Sequence, residues 1–387
     1  MHRLGLWFLS VVLAFVAFPF QEVFASSDPE MESESAILID GTTGQVLFEK
    51  KSRNKMYPAS ITKILTAIIA IEEADLSETV TVSKKATEVE GTTVYLMENE
   101  EIKLQRLVQG MLINSGNDAA IAIAEHMDGN VGRFADHMNR FLKKKIGAKD
   151  SHFVNPHGLF DENHYTTAYD MALITRYAMK NKTFGEIFGT KELKWKGEGW
   201  DTILKNHNLM LHRYDFVTGG KNGYVDKAGH TLVTTAKKGK TELIAVIMNA
   251  KSSRIAYKDT TKLFDFGFSS FNKKQLTTGG EFYSDTGQKF KLTETLFYLE
   301  RKGEEIRTRI TNDGLLLLKD KNNKVVLKKS LTAIKPEKKE EALASDYERK
   351  DANKGDEKNF SYFWLIFTSF IAFLTLGIIR WNRSRAS

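Results

Sequence analysis

Tyr57-Pro58-Ala59-Ser60-Ile61-Thr62-Lys63-Ile64-Leu65-Thr66-Ala67-Ile68-Ile69-Ala70 is the stretch on which the fold turns. The string Ser-x-x-Lys occurs three times, at Ser52–Lys55, Ser60–Lys63 and Ser270–Lys273. Only the middle copy heads a segment that reads as a buried helix. Residues i and i+3 share a helical face, so Lys63 comes up beside Ser60. Among apolar neighbours a lysine loses solvation and its pKa falls. A neutral amine beside a hydroxyl is a general base beside a nucleophile. The plainer alternative is a serine cap followed by a surface lysine. The rest of the chain has to decide.

The 387 residues suffice for one large domain and a smaller one, and 42% apolar content allows a substantial core. Cysteine is absent, which excludes disulfides, thiolate metal sites and cysteine catalysis. The net charge of +7 is modest for the length. No basic cluster interleaved with aromatics points to nucleic acid as a partner.

Both termini read as targeting segments. Met1-His2-Arg3 precedes an apolar run from Leu4 to Phe20, and Val23-Phe24-Ala25 has the small-x-Ala form of a cleavage site. Residues 1–25 are therefore expected to be a signal peptide. Residues 360–379 are uncharged and mostly apolar, long enough for a transmembrane helix. Arg380, Arg383 and Arg385 would keep the tail, 380–387, in the cytoplasm. The expectation is an exported protein on the outer face of the bacterial cytoplasmic membrane, held in the lipid by its C-terminal helix.

Between these ends, Ala36–Asp40 and Gln45–Glu49 read as a β-hairpin around a Gly41–Gly44 turn. Leu104, Leu107, Val108, Met111 and Leu112 keep helical spacing. The pattern breaks at Asn114-Ser115-Gly116-Asn117 and resumes from Ala119, with Asp118 expected as the N-cap. Ser-Gly-Asn therefore sits in a tight loop between two apolar helices. A further helix is expected over Ala168–Met179. Lys221-Asn222-Gly223 comes just before two strands, Thr231–Thr235 and Leu243–Ile247. Strands at both ends with helices between predict a mixed α/β (α+β) domain over 35–270. Short alternating strands then predict a small all-β module over 281–331. Residues 335–358 hold seven basic and eight acidic side chains with almost nothing apolar, a composition that reads as an extended stalk.

Ser60-x-x-Lys63, Ser115-Gly116-Asn117 and Lys221-Asn222-Gly223, in that order, resemble the motif set of the penicillin-interacting serine enzymes. Pro58–Lys63, Ser115–Ala120, Asn155-Pro156-His157-Gly158-Leu159 and Thr167–Ala172 resemble blocks of low-molecular-mass penicillin-binding proteins of the D-alanyl-D-alanine carboxypeptidase type. The likeness covers about 36–249. It implies a β-lactamase/transpeptidase-like fold, an antiparallel sheet flanked by helices.

The same resemblance implies roles. Ser60 attacks the carbonyl between the two D-alanines that end a peptidoglycan stem peptide, and Lys63 takes its proton. Ser115 relays that proton to the leaving amine, while Asn117 fixes Lys63 and the substrate amide. Lys221, Asn222 and Gly223 hold the substrate, with the backbone N–H groups of Ser60 and Tyr224 as the oxyanion hole. Stem peptides are the expected substrate and β-lactams the expected covalent inhibitors. No cofactor and no metal is called for. His152, His157 and His164 read as loop-structuring rather than as ligands.

One motif departs from the pattern, since threonine is usual where Asn222 stands. Three other readings therefore stay open here: a weakly active cell-wall-binding module, a serine β-lactamase, and a transpeptidase.

Overall fold

The computed structural model describes residues 28–334. Five antiparallel strands form the central sheet: β1 (Ser35–Asp40), β2 (Val46–Lys50), β3 (Val217–Val225), β4 (Gly229–Lys238) and β5 (Thr241–Ala250). Their order is β2-β1-β5-β4-β3, so the N-terminal hairpin closes against the last three strands, with Ala36 opposite Ile247 and Leu38 opposite Ala245. The expected hairpin matches β1 and β2, the second strand displaced by one residue, and the two expected strands fall inside β4 and β5. Every residue of β1 is buried. Alternation divides its side chains between two cores. Ile37 and Ile39 join Val233, Ile244 and Val246 on one face, and Ala36 and Leu38 join Leu232, Ala245 and Ile247 on the other.

Helices cover both faces. The first is covered by α1 (Lys63–Glu73), α2 (Leu104–Ile113), α3 (Asn117–Asp128), α4 (Val131–Phe141) and α5 (Ala168–Ala178). The second packs on α6 (Ser253–Ser270) through Leu263 and Phe264. Thr167 caps α5 by accepting from Asp170 N at 3.0 Å.

Two local expectations shift. Asp118 is not the cap of α3: the helix begins at Asn117 with Gly116 as N-cap. The Asp118 carboxylate instead accepts from Val94 N at 2.9 Å, Leu96 N at 3.1 Å and Ala119 N at 2.8 Å. Lys221-Asn222-Gly223 lies within β3 rather than before the strands. Three glycines in that segment lower its apparent β-propensity, and each is there for close approach. A Cβ on Gly219 would stand 2.4 Å from the Phe188 ring, and one on Gly220 1.8 Å from Asn208 Nδ2.

Beyond α6, short strands from Phe271–Leu276 to Thr332–Ala333 enclose a small core of Phe290, Leu292, Ile310, Leu316, Leu318 and Leu331. Gln45 clamps the edge of the main sheet to this part, giving Nε2–H to Leu299 O and accepting from Leu299 N, both at 2.8 Å.

The membrane anchor is corrected. Among the described residues no helix is long and apolar enough to cross a membrane. Even α6, at 18 residues, carries Arg254, Lys258, Asp259, Lys262 and Asp265 along its length. The architecture is therefore an α/β domain with small β-rich C-terminal elements. The expected transmembrane helix, and the placement at the membrane's outer face that rested on it, have no support in this fold. The stretch read as that helix (360–379), the signal peptide (1–25), the stalk (335–358) and the tail (380–387) all lie outside the described residues.

Candidate active site

A 3-10 turn, Ala59–Thr62, feeds directly into α1. Ala59 adopts φ +51, a left-handed conformation that a side chain disfavours, and neighbours hold it there. Thr231 Oγ1 donates to Pro58 O at 2.8 Å. Gly158 lies so close that a Cβ on it would fall 1.9 Å from Ala59 O. This clamp presents Ser60 half-buried, with Lys63 wholly buried one turn on.

Lys63 Nζ has three neighbours: Asn117 Oδ1 at 2.7 Å, His157 O at 2.8 Å and Ser60 Oγ at 2.9 Å. The Asn117 orientation is set independently, because Nδ2–H donates to Glu90 O at 2.6 Å. Two of the three oxygens around Lys63, the amide and the carbonyl, can only accept. A neutral amine has two hydrogens and one lone pair. Its hydrogens then go to Asn117 and His157, and its lone pair faces the Ser60 hydroxyl. The Lys63 pKa is held well below its usual value, chiefly by burial and further by the charge of Lys221, against a smaller upward pull from Asp118. The lowered pKa favours the neutral amine, the form in which this geometry turns a lone pair to Ser60 Oγ.

The second pair is Lys221 and Ser115. Lys221 Nζ donates to Ser115 Oγ at 2.9 Å and to Asn222 O at 3.0 Å. Burial pushes its pKa down to about 7. Ser115 is buried at φ +67, between α2 and α3. Its hydrogen bond joins it to Lys221, so the Ser-Gly-Asn loop bridges the two lysines: Asn117 to Lys63, Ser115 to Lys221.

Gly223 closes the arrangement. A Cβ there would stand 2.6 Å from Ser60 N and 3.0 Å from Ala59 Cβ, so the bare backbone of β3 passes directly over the turn. Asn222 is half-buried, with Oδ1 buried and without a hydrogen-bond partner among the described residues. The Tyr224 side chain is exposed, its hydroxyl donating to Asp226 Oδ1 at 2.8 Å and its ring set against His230.

Seven of the eight anticipated residues, Ser60, Lys63, Ser115, Asn117, Lys221, Asn222 and Gly223, lie together, while Tyr224 follows Gly223 in β3 with its side chain turned to Asp226 and His230. The other two Ser-x-x-Lys strings do not join them. Ser52 donates to Glu49 Oε2 at 2.8 Å, and Lys273 Nζ donates to Thr42 Oγ1 at 3.0 Å. Missing from the sequence reading are the backbone carbonyls of Glu90 and His157, which fix Asn117 and Lys63; no side-chain motif marks a carbonyl. The histidines are structural. Val154 N donates to His164 Nδ1 at 3.1 Å, so Nε2 carries the hydrogen and gives it to Thr62 Oγ1 at 2.9 Å. Burial pushes the pKa values of both His157 and His164 down to about 3.

The D-alanyl-D-alanine carboxypeptidase family profile matches residues 22–252. The chain is 34% identical over 322 residues to the D-alanyl-D-alanine carboxypeptidase DacF of Bacillus subtilis, covering 79% of this chain and 81% of that one. It is 31% identical over 281 residues to DacA of Escherichia coli, covering 66% of each. Among solved structures it resembles penicillin binding protein 5 from Haemophilus influenzae, with a TM-score of 0.69, 25% identity, and coverage of 80% and 98%. Penicillin binding protein 6B from Escherichia coli gives 0.67, 27%, and coverage of 81% and 98%. By profile match, fold and motif order, the chain belongs to the D-alanyl-D-alanine carboxypeptidase family, as a serine-type hydrolase of the penicillin-binding class.

Proposed function

We propose that Ser60 is the residue through which this carboxypeptidase cleaves, and that a covalent Ser60 acyl-enzyme is its intermediate. The observation that carries this is the three-way contact of buried Lys63 with Ser60, Asn117 and His157, which in the neutral amine leaves the lone pair for the Ser60 hydroxyl. Lys63 accepts the Ser60 proton as Oγ attacks the carbonyl of the penultimate D-alanine. The oxyanion forms against the N–H groups of Ser60 and Tyr224, with the bare Gly223 backbone passing close to Ser60 N. The proton that Lys63 took from Ser60 passes through the Ser115 hydroxyl to the leaving amine as the C–N bond breaks, so the terminal D-alanine departs and Lys63 is neutral again. Water then attacks the ester and loses a proton to Lys63, and Ser60 is restored.

Lys221 binds the substrate's terminal carboxylate. Two of its hydrogens go to Ser115 and the Asn222 carbonyl, which leaves the third for the ligand. Asn222 adds an amide donor where a hydroxyl would otherwise serve. The catalytic unit is the α/β domain of 35–270, and the module over 281–331 is an appendage to it. β-Lactams acylate the same serine, since their strained amide occupies the place of the scissile bond.

A pentapeptide ending in D-Ala-D-Ala tests the reading. The full chain is expected to release D-alanine and to be labelled by a fluorescent penicillin, and Ser60→Ala to do neither. Label persisting on Ser60→Ala would sink the assignment.

A further inference from the structure

The segment Thr92–Met97 forms the outer wall of the Ser115–Asn117 loop. Asn117 N donates to Thr92 O at 2.7 Å, Asn114 Nδ2 to Thr93 O at 2.9 Å, and Val94 N and Leu96 N to the Asp118 carboxylate. Val94 and Leu96 point inward and are buried. Tyr95 stands between them with its side chain outward, 59% exposed, at φ +55. A bulky residue in left-handed backbone beside a catalytic loop is strain of the kind found at functional sites.

Two further side chains extend this exposed ring. Met97 is 50% exposed, and the half-buried Trp200 meets Tyr95 edge to face with centroids 5.0 Å apart. Trp200 comes from the tip of the hairpin Glu192–Lys196/Asp201–Lys205. Gly199 lets that tip lie flat, for a Cβ there would fall 2.2 Å from Tyr95 O and 3.0 Å from Met97 Sδ. The buried Glu100 carboxylate ties the two segments, accepting from Met97 N at 2.9 Å and from Glu198 N at 3.2 Å. The apolar surface is therefore braced before anything binds, which lowers the ordering cost of binding. Exposed apolar surface that is also rigid marks a place where something docks.

We propose that Tyr95, Met97 and Trp200 form a ledge that receives a sugar ring of the glycan strand bearing the stem peptide. The proposal rests on the carboxypeptidase reading, which brings a peptide covalently joined to a glycan to the neighbouring cleft. A pyranose presents a flat face of C–H groups, and an aromatic ring with a thioether beside it offers a matching uncharged surface. The ledge is thus a specificity element that favours glycan-linked over free peptide.

The test uses the full chain on a free pentapeptide and on the same peptide carried by its disaccharide. Titration calorimetry with a peptide-free tetrasaccharide of that repeat gives a second arm independent of turnover. Tyr95→Asn removes the ring but keeps a residue that tolerates left-handed backbone; Tyr95→Phe keeps the ring. Losing the ring contact should raise KM for the glycan-linked substrate by about 3- to 10-fold. The free peptide's kcat/KM should stay within about twofold, and Tyr95→Phe should behave as the unaltered protein. An equal rise for both substrates, no rise for either, or undiminished tetrasaccharide binding by Tyr95→Asn overturns the ledge. Failure of the unaltered protein on both substrates overturns the carboxypeptidase reading instead, and the calorimetric arm still decides the ledge.

Discussion

Lys221 Nζ reaches Ser115 Oγ across 2.9 Å, and this contact ties the strand carrying Lys-Asn-Gly to the loop carrying Ser-Gly-Asn. Both partners are almost wholly buried, Lys221 at 1% exposure and Ser115 at 5%. Inside the protein, deleting one partner leaves the other without its hydrogen bond. Ser115→Ala and Lys221→Gln should therefore each lower the acylation rate by a penicillin. The double variant should lose much less than the product of the two single losses, as residues acting as a unit do. Simple multiplication of the two effects would mean that the pair does not work together.

The two lysines have opposite requirements, which fixes the pH profile. Lys63 acts as a base only when neutral, so acylation rises with pH through its lowered pKa. In the proposed role Lys221 holds a carboxylate only when protonated, and in the free enzyme its pKa is about 7. It is charged below that value and neutral above it, so kcat/KM should fall as pH rises past about 7. A bound carboxylate favours the ammonium, so the alkaline limb of kcat should lie higher than that of kcat/KM. Repeating the profile with a substrate whose terminal carboxyl is methylated should abolish the alkaline limb. If that limb survives the methyl ester, Lys221 is not its source.

Gly223→Ala tests the oxyanion pocket. The new methyl would stand 2.6 Å from Ser60 N, in the nucleophile turn, and 2.6 Å from Thr231 Oγ1, which clamps that turn. Blocking one oxyanion donor costs about 100- to 1,000-fold in kcat. The expected outcome is a loss of that order in D-alanine release, with KM far less affected. Circular dichroism and Tm serve as controls for folding. A variant with a normal Tm and normal turnover would show that the β3 backbone has no part in the chemistry.

Much of this site could be read from the chain because its chemistry lies in side chains at short, regular spacings. Ser60 and Lys63 are joined by one helical turn, and the apolar run behind them announces that the lysine is buried. The apolar run Ala36–Asp40 and the Gly41–Gly44 turn after it likewise give the sheet hairpin. Legibility ends where the interaction depends on backbone or on distant loops. The carbonyls of His157 and Glu90 fix Lys63 and Asn117 from far along the chain. Ala59 and Tyr95 adopt left-handed backbone that no sequence rule assigns to alanine or tyrosine. The strand β3 was hidden by its glycines, which trade β-propensity for the approach of Phe188, Asn208 and the Ser60 turn. Asp118 resembles a helix cap in sequence, yet it is used to hold Val94 and Leu96.

Asn222→Thr tests the position at which this chain departs from the usual third motif. The present amide leaves Oδ1 buried without a hydrogen-bond partner among the described residues, directly after Lys221, the residue proposed to bind the carboxylate. A buried acceptor without a donor costs about 1–3 kcal/mol. Its lone pairs also oppose a nearby carboxylate. Threonine supplies a shorter side chain whose hydroxyl can donate, and it removes the orphaned acceptor. Gaining one hydrogen bond to a charged group is worth about 1.5–3 kcal/mol, or roughly ten- to a hundredfold in rate. Asn222→Thr should therefore raise kcat/KM for a D-Ala-D-Ala pentapeptide and the rate of penicillin acylation together, with a small gain in Tm. A methylated terminal carboxyl should gain less, because the new hydrogen bond is to the charged form. Equal or lower kcat/KM in the variant would mean that the asparagine amide already donates as well as threonine, and that the departure at this position carries no catalytic penalty.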